Sequence, residues 1–174
     1  MTAERSFFSY RILMATFFVV TIGFLGFTLW AHTQLPDRVP VHFDGAGKPD
    51  RISSKMELTV VNLCVGVSMI ALFGILPFFL EKIPNRLWNL SNKDYWLAPE
   101  RKKETVDRVN IYYVGMGLAT MLLMWFVMGG AYLVGMGKSE TLPYSWWGIG
   151  IYFALITWMC IAMFRAFPKP PKEP

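Results

Sequence analysis

Four stretches of this chain each run for about 20 residues or more without a single Lys, Arg, Asp or Glu. That segregation limits the possible folds more than any motif does. A bilayer core about 30 Å thick is crossed by a helix rising about 1.5 Å per residue, so runs of this length fit a membrane span. A soluble helix of the same length would carry a polar stripe at a period of about 3.6 residues, and these runs carry none. Composition agrees, with 54% hydrophobic against 17% charged residues, the charges being swept into a few segments. The expected fold is therefore an all-α membrane protein. It is a four-transmembrane-helix bundle with a short extended outer loop between helices 1 and 2, forming one domain over residues 1–167. The spans are expected at about 12–31, 58–80, 109–136 and 144–164, with a disordered cytoplasmic tail over 168–174.

Local signals refine these limits. Trp30 closes the first run where indoles prefer the interface, and Tyr144, Trp146 and Trp147 open the fourth. Ser54 stands three residues before Glu57, the spacing of a capping box at the start of the second helix. Pro77 lies near that helix's end, and Pro99 suits the first turn of the third. Gly115 with Ala119, Ala131 with Gly135, and Gly150 with Ala154 are small-residue pairs that permit close helix approach. Asn62 in the second run is expected to serve packing. Met116, Met121, Met124, Met128 and Met136 read as lipid-facing or packing filler. Cys64 and Cys160 fall inside apolar runs with no second thiol near, so both read as buried and inert.

The net charge of +5 is explained by orientation rather than by nucleic acid, because the cations are not gathered on a soluble aromatic surface. Four spans place both termini and the segment between helices 2 and 3 on one side. That side holds twelve Lys and Arg, against five on the other. Positive residues are retained on the cytoplasmic face, so both termini are expected inside and the loop 35–50 outside.

That loop, LPDRVPVHFDGAGKPD, is the first of two polar segments with candidate chemistry. Pro40 favours extended backbone around it. Strand alternation then places Val39, Val41 and Phe43 on one face and His42 with Asp44 on the other. Asp44, Gly45 and Gly47 supply turn chemistry. His42 and Asp44 are read either as a hydrogen-bonded pair for partner docking, metal or proton chemistry, or as a scaffold in which both hold the loop's own amides, as Asp often does in a turn. A metal would need His32 with Asp37 or Asp50 as further ligands, and no metal, cofactor or catalytic residue is assigned. In the second segment, 83–108, aromatic residues interleave with charges, as at headgroup level.

PDRVPVHFDGAGKPD after a first span resembles the signature of a bacterial membrane-domain family of unknown function. That domain forms the N-terminal part of SdpI-type toxin-immunity proteins. The similarity rests on Pro36, Pro40, His42, Phe43, Asp44, Gly47, Pro49 and Asp50. The second stretch, SNKDYWLAPERKKET, is similar to a motif of stand-alone members through Asn92, Lys93, Tyr95, Trp96, Leu97 and Pro99. The resemblance covers about the first 110 residues. It implies a topology and two interaction loops, with His42, Phe43, Asp44, Gly45, Gly47, Asp50, Asn92, Lys93, Tyr95 and Trp96 as candidate partner-binding residues.

No GxSxG, HExxH or P-loop pattern occurs, and no ionisable side chain lies inside the four runs, which argues against an enzyme or a proton pump. The expected function is a non-enzymatic integral protein of the bacterial cytoplasmic membrane. It would recognise a partner, peptide or envelope component through its outer loop, in an immunity-like, signalling or accessory role. A small transporter or transport-complex subunit is the second expectation, motivated by Gly, Ser and Asn positions in helices 2 and 3. A metal-dependent activity at the outer face is the third.

Overall fold

The computed structural model describes residues 3–143 and 145–169, with side chains from Ser9 onward except that of Ser145. Tyr144 and, from Pro170 on, the expected disordered tail lie outside the described residues. The order of elements is α1 (Ala3–Gln34), β1 (Arg38–Phe43), β2 (Pro49–Ser54), α2 (Lys55–Met69), α3 (Lys93–Trp96), α4 (Lys102–Gly135) and α5 (Ser145–Arg165). A π-helical stretch, Ile70–Ile75, and a 3-10 stretch, Leu76–Lys82, prolong α2. Among the described residues, four helices are long and apolar enough to cross a membrane: Ser9–Gln34, Lys55–Lys82, Lys102–Gly135 and Trp146–Arg165. A small antiparallel sheet, β1 with β2, stands between the first two.

The helices overrun the charge-free runs, because charge depletion marks only what lies in hydrocarbon. α4 has 34 residues, about 51 Å of helix, and its first two turns are polar.

The core is a seam between α1 and α4, which run parallel. On α1 and the residue that follows it, the buried positions are Met14, Phe17, Thr21, Phe24, Thr28, Ala31 and Leu35, spaced alternately by three and four residues. α4 answers with Asn110, Val114, Gly117, Met121, Met128 and Ala131 in the same rhythm. This is the repeat of coiled-coil-like packing. Met121 and Met128 are thus core residues, and Met124 and Met136 pack beside them. The Trp125 indole N–H donates to the Val20 carbonyl at 2.9 Å, joining the two helices directly. Asn62 bonds within its own helix, to the Leu58 carbonyl at 2.8 Å.

Small residues set the close approaches, though not all the expected ones do. A Cβ at Gly135 would meet Leu35 at 2.9 Å, and one at Gly115 would meet Met159 of α5 at 2.5 Å. Gly150 has nothing within 4 Å; the contact on α5 is made by Gly148 against Phe126. Cys64 is exposed rather than buried, since its side of α2 faces away from α1.

The second span is not one uniform helix. Pro77 has no N–H to donate, and its ring would collide with the carbonyl four residues back. The chain answers by widening ahead of it, so that the Leu76 N–H reaches the Ala71 carbonyl, and then tightening into 3-10 turns. The Pro77 carbonyl accepts the buried Asn110 side-chain N–H at 3.4 Å, which ties this stretch to α4. Pro99 lies just before α4 rather than in its first turn, because α3 and a turn occupy 93–101.

A Cβ at Gly117 would lie 2.4 Å from Cγ at the base of the Phe73 ring, which cannot swing aside. Gly117→Ala is therefore expected to destabilise the protein by about 1–3 kcal/mol. Gly150→Ala, in open space on a helix, is expected to be neutral or to stabilise by up to about 1 kcal/mol. Thermal unfolding of the two variants in one detergent checks the contrast.

Candidate functional site

The loop 35–50 folds as half of a β-hairpin. The Asp44 N–H donates to the Lys48 carbonyl at 2.8 Å, and the Gly47 N–H donates to the Asp44 carbonyl at 2.9 Å. Gly47 has φ +77°, the left-handed position that a three-residue hairpin loop requires. Asp44 is consumed by this turn. Its Oδ1 accepts the Ala46 N–H at 2.8 Å and the Lys48 N–H at 2.9 Å. Of the two readings of Asp44, the scaffold is the one the geometry bears out.

His42 instead faces Asp50 across the hairpin, with Nδ1 at 2.6 Å from Oδ1. Two register shifts in β1, between Pro40 and His42 and between His42 and Phe43, break the simple alternation on which the pairing of His42 with Asp44 rests. Both partners are open to solvent, at 67% and 43% side-chain exposure. Beside them Arg51 pairs with Glu57, whose carboxylate also accepts the Ser53 hydroxyl. Glu57 therefore does not complete the capping box, although Ser54 does cap α2 by accepting the Glu57 N–H at 3.1 Å.

The hairpin is fixed to the bundle at its base, flank and tip. At the base the Lys55 ammonium reaches the Leu35 carbonyl at 3.1 Å and the Asp37 carboxylate at 3.3 Å. Along the flank Val39 is buried beside Gly135 of α4. At the tip the Gly47 carbonyl accepts the Leu142 N–H at 2.8 Å, and Gly45 lies against Trp146 of α5. Nothing in the local sequence points to Leu142 or Trp146, because these contacts join segments about 100 residues apart. Phe43 is half-buried.

The other expected ligands are engaged elsewhere. The His32 Nδ1 lies 2.8 Å from the Thr59 hydroxyl. That hydroxyl gives its proton to the Lys55 carbonyl, so His32 must donate through Nδ1. Among the described residues no group of three His, Cys, Asp or Glu is placed to hold a metal.

The second segment forms at the opposite end of the bundle, so its residues share no site with His42. Asn92 adopts the left-handed conformation, φ 54°, and its carbonyl accepts the N–H groups of Tyr95 and Trp96 to start α3. Lys93 is half-buried, and its carbonyl closes α3 by accepting the Leu97 N–H at 2.7 Å. The Arg101 guanidinium stacks 4.0 Å over the Tyr95 ring and donates to the Tyr95 carbonyl at 2.9 Å. Trp96 accepts the Thr105 hydroxyl through its carbonyl and sets its ring edge-on to Phe167 at 5.5 Å. Arg108 ties the same corner, donating to the Ala166 carbonyl at 3.1 Å and to Glu104 at 2.8 Å. Trp96 and Arg108 thereby clamp the start of α4 to the end of α5. Against the clamp lies a cavity of about 140 Å³ bounded by Trp88, Leu90, Val109, Phe164 and Phe167, which no motif signals.

A family model described as a domain of unknown function (DUF1648) matches residues 19–66. The matched stretch runs from within α1 through the whole hairpin into α2, and ends before the second segment. No curated protein and no solved structure matches the chain.

Asp44→Ala is expected to loosen the turn by about 1 kcal/mol, the scale of a lost hydrogen bond. The sign is faster amide hydrogen exchange at Ala46 and Lys48. Asp50→Asn is expected to leave both amides protected, because an exposed pair contributes little to stability. Equal effects of the two changes would show that the two carboxylates do not divide these roles.

Proposed function

We propose that the chain is a non-enzymatic multi-pass membrane protein that recognises a partner protein, peptide or envelope component with its hairpin. The observation that carries this reading is the His42–Asp50 pair. It is a hydrogen-bonded imidazole and carboxylate left exposed on a hairpin otherwise fixed to the bundle. A structural pair would be expected under cover, whereas an exposed one on a rigid mount suits recognition. The likeness of the hairpin signature to SdpI-type immunity proteins supports a bacterial cytoplasmic membrane and an immunity-like, signalling or accessory role. The excess of Lys and Arg at the other end supports cytoplasmic termini and an outward hairpin.

The second reading, a small transporter, draws less support. The small residues of α2 and α4 that might line a path are met by side chains, Gly66 by Leu25 and Gly117 by Phe73. A metal-dependent activity would need ligands that the hairpin does not assemble.

The test is photocrosslinking in membranes from a reactive side chain at the exposed Ile52, beside the pair. His42→Ala is expected to leave membrane abundance unchanged and to reduce the crosslinked species at least tenfold. Undiminished crosslinking with His42→Ala would overturn the reading. For orientation, Cys64 and Cys160 are first replaced by Ser. A cysteine then introduced at Gly45 is expected to react with an impermeant maleimide on intact cells, and one at Ser91 only after permeabilisation. The reverse pattern would place the hairpin inside.

A further inference from the structure

The end of the bundle opposite the hairpin carries a groove between α4 and α5, which shares only Ala166 with the clamp. It holds about 370 Å³ and is lined by Tyr112, Trp158, Ile161, Ala162, Arg165 and Ala166. Three features make it more than a gap between helices.

The first is its polarity along the helix. Arg165 ends α5, and Trp158 lies seven residues earlier, about 10 Å deeper along the axis. The groove is therefore cationic at its mouth and aromatic and aliphatic further in. Ala162 leaves room between the two, and Ala166 leaves the mouth open. The second is unspent hydrogen-bonding capacity. Among the described residues, neither the Arg165 guanidinium nor the Tyr112 hydroxyl has a hydrogen-bond or ion-pair partner. The neighbouring Arg108, one turn before Tyr112, is by contrast committed to Glu104 and the Ala166 carbonyl. A basic residue in a last helical turn does complement the helix dipole, but that does not account for the unpartnered phenol of Tyr112, which lines the same groove. The third is access. Trp158 and Ile161 are exposed on the outside of the bundle, so the groove opens sideways, where lipid would stand around a spanning helix.

We propose that this groove binds one anionic phospholipid from the leaflet at that end. The phosphate sits on Arg165 and the Tyr112 hydroxyl, and an acyl chain runs past Ile161 toward Trp158. Charge complementarity selects the occupant. An acyl chain alone would leave the guanidinium unanswered, and a zwitterionic headgroup brings its own ammonium to the same mouth. Guanidinium is also the side chain best matched to phosphate oxygens. This inference rests on the four membrane-spanning helices and is independent of the hairpin's partner.

The test is native mass spectrometry of the full-length protein. The detergent-purified protein is mixed with equimolar dioleoyl-phosphatidylglycerol and dioleoyl-phosphatidylcholine. The wild type is expected to retain one phosphatidylglycerol in preference by about fivefold, the factor one basic residue contributes near an anionic lipid surface. Arg165→Gln is expected to bring the ratio near one, and Trp158→Ala to lower retention of both lipids. Lys138→Gln, at the hairpin end, is expected to keep the preference. Tyr112→Phe removes only a hydroxyl and is expected to weaken the preference, which provides a second variant should Arg165→Gln fail to fold. Equal retention of the two lipids by the wild type would overturn the proposal, and so would a preference that survives both Arg165→Gln and Tyr112→Phe.

Discussion

Helices in hydrocarbon gain little by burying one apolar side chain against another, because lipid tails are as apolar as leucine. What holds such a bundle is close fit and the occasional interhelical hydrogen bond. Here the close fit is concentrated between α1 and α4, which one hydrogen bond joins, while others tie α1 to α2 and α4 to its remaining neighbours. The knobs Phe17, Phe24 and Leu35 alternate with Thr21, Thr28 and Ala31, so large and small side chains interdigitate along the seam. The Trp125 indole reaches across to the Val20 carbonyl and stacks edge-on to Phe24 at 6.0 Å. Farther along, Phe27 and Trp30 meet Tyr132. A slip of one helical turn, about 5.4 Å, would lose the indole bond and separate Leu35 from Gly135. The position of the hairpin is thus set by a contact deep in the bundle, because β1 leaves α1 only four residues after its last helical residue.

That dependence explains how the sequence can disclose the spans while concealing their arrangement. Charge depletion counts the helices without reference to any contact. Ser54 announces the start of α2, and Asp44 with Gly47 announces a turn, because each acts on its own backbone within a few residues. The inward faces are another matter. In water a helix marks its buried side by contrast with a polar side, whereas in a membrane both sides are apolar and the contrast disappears. The three-four rhythm of Met14 to Leu35 is present in the sequence, but apolar residues off the seam, such as Val19 and Ile22, make it invisible. Gly150 and Gly148 illustrate the same limit: spacing alone favours the first, and only the neighbour Phe126 reveals the second.

The hairpin divides in the same way. Residue types single out His42 with Asp44, and Asp50 enters only as a possible further ligand and through the resemblance. Alternation along one strand joins His42 to Asp44. The turn, however, has two amides to satisfy and only one side chain positioned for both, so Asp44 is taken. Asp50 then becomes the partner through strand register, a property of two strands that neither sequence alone contains. The second segment was legible as interfacial from its mixture of aromatics and charges. That Trp96 and Arg108 grip Phe167 and Ala166, just past the end of α5, was not, since the contacts span about 60 to 70 residues of sequence.

The two ends of the molecule therefore differ in what they leave unspent. At the clamp, Arg101 and Arg108 are turned onto rings, carbonyls and Glu104, and the polar atoms there go largely into joining α4 to α5. At the hairpin, the base, flank and tip are consumed in docking, yet the pair between them is presented outward. Holding an imidazole beside a carboxylate in water costs side-chain entropy and returns little stability, so the fold gains almost nothing from keeping His42 and Asp50 in register. A rigid mount lowers the ordering cost of any later association, because the two groups need not be immobilised again when a partner arrives. The arrangement is understandable if its benefit falls on binding rather than on folding.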